Sequence, residues 1–276
     1  FNYTTGLTMT NKKFSNLFGN PIRNPKLNQL SHFHMDIAAS IQAVIEEIFL
    51  KMTSSISKEF NIPNLCMAGG VALNCVANGK ILKAGHFKNL WIQPAAGDAG
   101  GALGAALAVW YKKLNKPRKV VGKDSMKGAF LGPEFSQEEI INSLKKLNAK
   151  FEVMDNISII EETAKALIEG KAIGWFQGRM EFGPRALGSR SIIADPSNNT
   201  MQKILNLKVK YRESFRPFAP SVLRENVNDW FELDCDSPYM LLVANVQQKF
   251  CKEMTEEEKN LFGIDKLNIK RSNIPA

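Results

Sequence analysis

The sequence contains few residues of the kinds that build disulfide frameworks, zinc sites or membrane spans. It has four cysteines and three histidines in 276 residues. The cysteines, Cys66, Cys75, Cys235 and Cys251, are too widely spaced for a zinc knuckle or a disulfide framework, so we expect them to be reduced and mostly buried. No apolar run approaches the roughly 18 residues of a membrane-spanning helix, and no N-terminal segment combines a basic start, an apolar core and a cleavage site. These absences predict a cytoplasmic protein without a membrane partner.

The composition is that of a folded protein long enough for two domains. Apolar residues make up 44% and charged residues 23% of the chain, which is typical of globular proteins. A net charge of +9 favours polyanionic partners, but the lysines are scattered, so a nucleic-acid partner is not expected. Because the sequence begins at Phe1 without an initiator Met, we expect a fragment.

One glycine-rich segment carries three arginines. Residues 179–190 contain Arg179, Arg185 and Arg190 with two glycines and a proline, directly after the apolar run 172–176. A guanidinium offers paired N–H donors that match phosphate or carboxylate, and glycine lets backbone N–H groups approach the same anion. The segment therefore predicts a loop that binds a phosphorylated or carboxylated small molecule.

A second basic segment strengthens this interpretation. Lys208, Arg212 and Arg216 alternate with aromatic and apolar residues over 208–217, unlike a solvated charge run, and the two segments are predicted to converge on one ligand. The alternative is that the arginines form surface turns or structural ion pairs, for example with Glu181.

Two strand–turn–helix units precede these segments. The first is a strand at 65–68, a turn at Gly69 and Gly70 and a helix over 74–82, an arrangement that favours a nucleotide phosphate at the helix start.

In the second unit a strand at 90–92 leads through a turn at 96–101 into an alanine-rich helix over 102–112. Asp98 lies in the turn between glycines. There it is suited to coordinate a metal, to receive a ribose hydroxyl or simply to cap the following helix, and the sequence leaves these alternatives open.

The whole pattern alternates strands and helices, which predicts an α/β or α+β architecture. A basic, non-periodic stretch places a domain boundary near residue 122. The other predicted elements are a loop over residues 1–30, a long helix through 37–56, a helix starting at Ser136, a strand at 151–154, a helix over 157–169 and a strand at 171–177.

The order of these segments resembles the NodU/CmcH-type carbamoyltransferases. Four motifs carry the resemblance, at residues 65–74, 97–104, 178–191 and 212–221. It implies an α/β chain whose first part is the later half of an actin- and sugar-kinase-like (ASKHA) domain. The second part is implied to be an α+β YrdC-like carbamoyltransferase C-terminal domain, truncated at its end. With the boundary given above, the two parts are residues 1–122 and 123–276.

The resemblance also implies an activity. Such enzymes form carbamoyl-adenylate from carbamoyl phosphate and ATP and transfer the carbamoyl group to a hydroxyl of a small molecule such as a sugar, nodulation factor or antibiotic. ATP and a divalent metal, iron or magnesium, are the implied cofactors. Nucleotide contacts are assigned to Gly69, Gly70, Val71, Asn74, Gly100 and Gly101, a metal ligand to Asp98, and the anion site to Arg179, Arg185, Arg190, Lys208, Arg212 and Arg216.

Some expected parts are missing from the sequence. The family's further metal ligands, typically histidines, lie in an earlier half that this chain lacks, and His32 and His34 are interpreted as ordinary polar residues near a helix start rather than as a chelating pair. No general base for the acceptor hydroxyl is evident. We therefore expect this chain by itself to lack complete transferase activity. The alternatives are an enzyme related to tRNA threonylcarbamoylation and a non-catalytic nucleotide- or nucleic-acid-binding protein.

Overall fold

A computed structural model of the chain shows two compact units. It describes residues 9–120, 122, 124–267 and 269–273. The first unit ends at Val44 and the second begins at Ile45. Of the helices in the described part of the chain, none is both long and apolar enough to cross a membrane.

The described elements mix helices with four short strands. The helices are α1 (Lys12–Phe18), α2 (His32–Phe60), α3 (Cys75–Ala84), α4 (Asp98–Ala108), α5 (Gln137–Lys146), α6 (Asn156–Ile168), α7 (Met201–Ile204), α8 (Val227–Trp230), α9 (Glu256–Asn260) and α10 (Gly263–Leu267). The strands are β1 (Asn64–Met67), β2 (Asn89–Ile92), β3 (Ile173–Phe176) and β4 (Arg190–Ile193).

The sequence predicted a loop over residues 1–30, but the N-terminal region is only partly loop. It contains the seven-residue helix α1, because Asn11 accepts hydrogen bonds from the N–H groups of Lys13 and Phe14 at 3.0 and 3.2 Å and Gly19 ends the helix in the left-handed conformation. Residues 1–8 of that prediction lie outside the described residues. The long helix predicted through 37–56 is confirmed by α2.

The first predicted strand–turn–helix unit is confirmed. β1 pairs with β2 in parallel, with Leu65 opposite Leu90, and α3 lies between them in sequence. A 3-10 turn over Gly70–Leu73 leads into α3, whose first turn is capped by the Asn74 side chain.

The second unit is confirmed with an earlier helix start. α4 begins at Asp98, four residues before the predicted position, with Gly97 as its N-cap. Gly100 permits this start, because a Cβ there would lie 2.0 Å from the Ala95 carbonyl oxygen. Beyond α4 the helix continues as a π turn over Val109–Lys113.

Two capped helices open the later part of the chain. Ser136 and Glu139 form a reciprocal capping box at the start of α5. At the start of α6, Asp155 accepts the N–H groups of Ile157 and Ser158, each at 2.9 Å. Both helix predictions are confirmed, whereas the strand predicted at 151–154 is wrong: these residues have no strand partner, and the chain there runs extended into the cap of α6.

β3 confirms the strand predicted at 171–177, and its partner was not predicted. The arginine-rich segment 179–190, called the arginine loop below, runs into β4, and Arg190 is both its last residue and the first of the strand. β4 pairs antiparallel with β3, with Phe176 opposite Arg190. The loop is therefore the connection of a β-hairpin, which holds its two ends together.

The core draws residues from distant parts of the chain. Tyr239 and Leu241 are buried there beside residues of the first half, and the ring of Tyr239 meets Trp91 edge-on at 6.2 Å. The buried members are Ala72, Ile92, Ala96, Met126, Ala129, Tyr239 and Leu241.

The cysteines are free, as predicted, but the expectation that they are mostly buried is wrong. Cys66 and Cys251 are exposed, and Cys75 and Cys235 are half-buried. Cys66 is exposed because it lies on a two-stranded sheet with few neighbours.

Candidate functional site: the arginine loop and the glycine turn

The arginine loop is closed by a buried carboxylate. Glu181 is 7% exposed, and its Oε1 accepts the backbone N–H groups of Leu187 and Ser189, both at 2.7 Å, and of Arg190 at 3.3 Å. Burial alone would raise the pKa of Glu181, but these N–H donors outweigh it and hold the pKa below its ordinary value. The carboxylate therefore stays charged and joins the start of the loop to its end.

Arg190 is held by backbone carbonyls rather than by an acid. Its Nη1 donates to Gln177 O at 2.9 Å and Ser189 O at 2.8 Å, and its Nη2 donates to Gly178 O at 3.1 Å. The guanidinium carbon lies 3.3 Å from the centre of the Phe176 ring, which is a cation–π contact. These contacts tie Arg190 to the hairpin.

Arg179 is exposed and lies beside an extended segment. Its Nη1 donates to Gly132 O at 2.9 Å, and its Nε lies 3.6 Å from a carboxylate oxygen of Glu134. The same segment exchanges backbone hydrogen bonds with the loop, since Gly132 N donates to Met180 O at 2.9 Å.

The middle of the loop packs on the core. Phe182 and Leu187 contact the buried cluster. Between them Gly183 has a φ of 134°, and a Cβ at this position would lie 3.3 Å from Pro94 O and 3.4 Å from the Ala95 Cα. Only glycine combines that backbone conformation with so close an approach.

Arg185 points toward the first glycine turn. Its Nη2 lies 3.4 Å from Leu73 O, a long hydrogen bond. Its buried Nε has no hydrogen-bond partner within the described part of the chain. Arg185 therefore has one N–H donor that no described residue uses.

The second basic segment is organised by a buried amide. Asn206, fully buried, donates from Nδ2 to Ser214 O at 3.1 Å and to Arg216 O at 2.8 Å, and its Oδ1 accepts Arg212 Nε at 2.6 Å. Arg212 also lies over the Phe218 ring at 5.0 Å. Asn206 thus fixes the direction of the Arg212 side chain.

The other two predicted anion-site residues of this segment, Lys208 and Arg216, are exposed. Arg216 pairs with Glu213 at 2.8 Å, and Lys208 lies in the π turn Leu205–Val209. Ion pairing was the alternative interpretation of the arginines, and Arg216 and Arg179 do form such pairs.

Arg179, Arg185 and Arg190 belong to one segment of the chain, but their side chains make separate contacts, with Gly132, with Leu73 and with residues 177, 178 and 189. In the second segment, Asn206 joins the Arg212 side chain to the backbone of Arg216. The convergence of the two segments on one ligand stays a prediction.

The first glycine turn faces open space. A Cβ at Gly69 or Gly70 would meet nothing within 4 Å, and Val71 is exposed. The Asn74 side chain accepts the N–H of Ala77 at 3.1 Å, so it caps α3. The turn itself therefore has room for a ligand beside its backbone.

The side-chain amide of Asn78 binds the backbone of this turn. Fully buried, it donates from Nδ2 to Ala72 O at 2.8 Å and to Leu241 O at 3.0 Å. Its Oδ1 has no hydrogen-bond partner among the described residues.

Asp98 does not act as the cap that one alternative expected. Asp98 is exposed and is the first residue of α4. The N-cap position is occupied by Gly97, which has no side chain that could cap the helix. Among the described residues, no group of three or more His, Cys, Asp or Glu side chains is placed to hold a metal ion. Asp98 therefore supplies a single carboxylate here, and its role as a metal ligand stays a prediction. Gly101, also exposed, has open space beside it.

The two histidines in the first turn of α2 are ordinary helix-start residues. His32 is the first residue of the helix, and His34 Nδ1 lies 2.7 Å from Ser31 Oγ.

Four functional or organising residues were missed at the sequence level. Glu181 was considered only as an ion-pair partner, and Asn78, Asn206 and Tyr239 were not singled out. A buried polar side chain leaves no periodic signal, although the position of Glu181 inside the arginine motif is a usable clue.

Comparison with known proteins defines the class of protein. The family models for the carbamoyltransferase N-terminus and the carbamoyltransferase C-terminus match residues 1–107 and 164–261. With its mixed α/β fold, the chain belongs to the NodU/CmcH-type carbamoyltransferase family. The predicted boundary near residue 122 stays a prediction.

Particular relatives come from bacteria of different groups. An uncharacterized protein of Synechocystis sp. is 58% identical over all of this chain and 45% of its own length. The nodulation protein NolO of Bradyrhizobium diazoefficiens is 40% identical over 78% of this chain and 39% of its own length. The 3'-hydroxymethylcephem-O-carbamoyltransferase of Streptomyces clavuligerus is 30% identical over 67% of this chain and 33% of its own length. The chain thus spans less than half the length of these relatives.

Proposed function

We propose that the full-length protein is an O-carbamoyltransferase that forms carbamoyl-adenylate from carbamoyl phosphate and ATP and passes the carbamoyl group to a hydroxyl of a small molecule. The observation that carries this proposal is the packing of the arginine loop beside the glycine turn. Phe182 and Leu187 contact the core that contains Ala72, and Arg185 reaches Leu73 O. Two motifs predicted independently to bind anions are therefore neighbours.

The residue types suit two polyanionic substrates. Carbamoyl phosphate and ATP repel one another, so clustered cations lower the cost of bringing them together and of the charge that develops in transfer. In the first step carbamoyl phosphate takes up water and releases phosphate, a carbamate oxygen bonds the α-phosphorus of ATP, and pyrophosphate leaves. Arginine remains protonated throughout, so Arg185 is assigned to charge stabilisation and not to proton transfer.

In this proposal the first part of the chain belongs to an ASKHA-type domain and the second to a YrdC-like domain. The open backbone at Gly69 and Gly70 is assigned to nucleotide binding, with Val71, Gly100 and Gly101 beside it, and Arg179, Arg190, Lys208, Arg212 and Arg216 complete the anion site. A divalent metal, iron or magnesium, is kept as a cofactor of the full-length protein. No step is derived through it, because Asp98 supplies only one ligand.

The proposed acceptor is a small-molecule hydroxyl. Support comes from the relative named as a cephem O-carbamoyltransferase. The glycine and arginine motifs of this chain lie within residues 1–107 and 164–261, which the two family models match.

The test is exchange of labelled pyrophosphate into ATP by the full-length protein. We expect exchange that requires carbamoyl phosphate and that falls at least about 100-fold in Arg185→Ala, the order found when one charge-stabilising donor is removed from an active site. Arg118→Ala is the matched control, because it removes the same charge from an exposed residue outside the two motifs.

Absence of exchange in a folded full-length protein that binds ATP would rule out the adenylate mechanism. Equal activity of Arg185→Ala and Arg118→Ala would instead remove Arg185 from the site. Salt-sensitive RNA binding without preference for ATP would favour a binding protein.

A further inference from the structure

Glu181 is the one acidic side chain inside the arginine loop, and its bonds lead to the backbone. Its carboxylate contacts the N–H groups of Leu187, Ser189 and Arg190. A carboxylate in a segment with three arginines could pair with one of their guanidinium groups and neutralise it. Here the carboxylate accepts hydrogen bonds from backbone N–H groups. The Nε of Arg185 has no hydrogen-bond partner among the described residues.

The same bonds determine the path of the loop. They connect residue 181 to residues 187–190, so the segment that carries Arg185 becomes a closed ring of about eight residues. Phe182 and Leu187 fix both sides of that ring to the core. Because the Arg185 hydrogen bond to Leu73 O is long, at 3.4 Å, the closure of the ring contributes most to the position of Arg185.

The closure also supports the other end of the loop. Gly188 N donates to Ser191 Oγ at 2.9 Å, and Arg190 returns to the carbonyls of residues 177 and 178. Each of these bonds requires residues 187–190 to keep the path that Glu181 gives them.

We propose that Glu181 is the positioning residue of the anion site: its carboxylate closes the arginine loop and holds Arg185 where the substrate anion binds. The inference rests on the proposed function for the identity of the anion, carbamoyl phosphate or the phosphates of ATP. It does not rest on it for the closure of the loop.

A double-mutant cycle in the full-length protein tests the coupling. Glu181→Gln keeps the shape of the side chain but removes its charge and leaves a neutral carbonyl oxygen, a weaker acceptor, for the three N–H donors. We expect it to lower kcat/KM for pyrophosphate exchange about tenfold, the equivalent of one charge-assisted hydrogen bond. In an Arg185→Ala background the further loss is expected to be less than about twofold, because residues that act through one another are not additive. Independent, multiplied losses would overturn the proposal.

The matched control is Glu169→Gln. Glu169 is exposed, forms an ion pair with the nearby Lys171, and lies outside the loop. Its substitution is expected to leave kcat/KM unchanged in both backgrounds.

Backbone hydrogen exchange separates failure of this inference from failure of the proposed function. In Glu181→Gln, and less so in Glu181→Asp, amides 187, 189 and 190 are expected to exchange faster while those of β1 and β2 are unchanged. That result supports the positioning role even if the wild-type protein shows no pyrophosphate exchange. Unchanged protection at these three amides would overturn the positioning role, whatever the activity. If Glu181→Gln loses protection throughout the protein, the same three amides of Glu181→Asp decide between the two outcomes.

Discussion

At the scale of single residues, the arginine loop shows how a buried charge is held without a counter-charge. Three N–H groups around Glu181 supply the stabilisation that burial removes. The arrangement resembles a helix N-terminus, where backbone donors bind an anion, but the donors here come from a hairpin connection.

This arrangement predicts a defined pH dependence. The folded-state pKa of Glu181 lies below its ordinary value, so its contribution to stability is complete above the unfolded pKa, about 4.3, and is lost as the pH falls through the lowered folded value. At pH 7 we expect Glu181→Gln to unfold with about 2 kcal/mol less free energy than wild type. Urea unfolding between pH 7 and pH 3 measures this difference, which should stay constant down to about pH 5 and shrink below it. A difference that grows on acidification would contradict the assignment.

Some residues of the candidate site could be predicted from the sequence, because the local composition alone indicates anion binding. Three arginines among glycines indicate anion binding from the sequence alone. Their partners were not predictable, because the contact of Arg190 with Phe176 follows from the antiparallel pairing of β3 with β4, and that of Arg185 with Leu73 O joins residues 112 positions apart. Such contacts exist only after the chain has folded.

At the scale of secondary-structure elements, the predictions succeeded where local chemistry sets a boundary. Ser136 with Glu139 forms the expected capping box, and Gly170, with a φ of 75°, follows the end of α6. Prediction failed at 151–154, where three apolar residues and Glu152 resemble a strand in composition but no neighbouring strand pairs with them. It also missed β4, whose strand identity depends on the preceding loop returning to β3.

The start of α4 offers a matched test of close packing. Gly100→Ala places a Cβ 2.0 Å from the Ala95 carbonyl oxygen, whereas Gly104→Ala, one turn later in the same helix, meets nothing within 4 Å. We expect Gly100→Ala to cost about 2 kcal/mol because backbone must move, and Gly104→Ala to stabilise the protein by up to about 1 kcal/mol because alanine favours helix. Thermal unfolding of the two variants gives the comparison. Equal shifts in Tm would show that the helix does not start against Ala95.

At the scale of the whole second unit, the core connects the regions matched by the two family models. Ala72 and Ile92 belong to the N-terminal match, and Tyr239 and Leu241 to the C-terminal match. The segment between the matches also contributes, since Tyr239 donates a hydrogen bond to Asp124 and accepts one from Gly128 N. Burial, followed by the bond to Asp124, raises the pKa of Tyr239 to about 12, so this contact persists across the physiological range.

Because of this shared core, the two matched regions should unfold together. Asn78→Ala removes the amide that joins Ala72 O to Leu241 O and leaves two buried carbonyls unpaired, so we expect a loss of about 2–3 kcal/mol. Asn89→Ala, which removes an exposed hydrogen bond to Asn64, is the control and should cost less than about 0.5 kcal/mol.

Hydrogen exchange under native conditions distinguishes the possibilities for Asn78→Ala. An equal loss of protection in β1–β2 and in β3–β4 is the expected result. A loss confined to α3 and its neighbours would show that the two regions open independently.

The hydrogen bond from Asn78 to Leu241 has a consequence for inheritance. Its donor and its acceptor are 163 positions apart, and one lies in each matched region. A recombinant of two relatives that exchanges only one region keeps this hydrogen bond if one parent supplies the side-chain amide at residue 78 and the other supplies the same backbone path at residue 241. A laboratory chimaera has to meet the same requirement. Crossovers that move residues 78 and 241 together preserve the junction, so the two regions behave as one heritable unit even though each is recognised by its own family model.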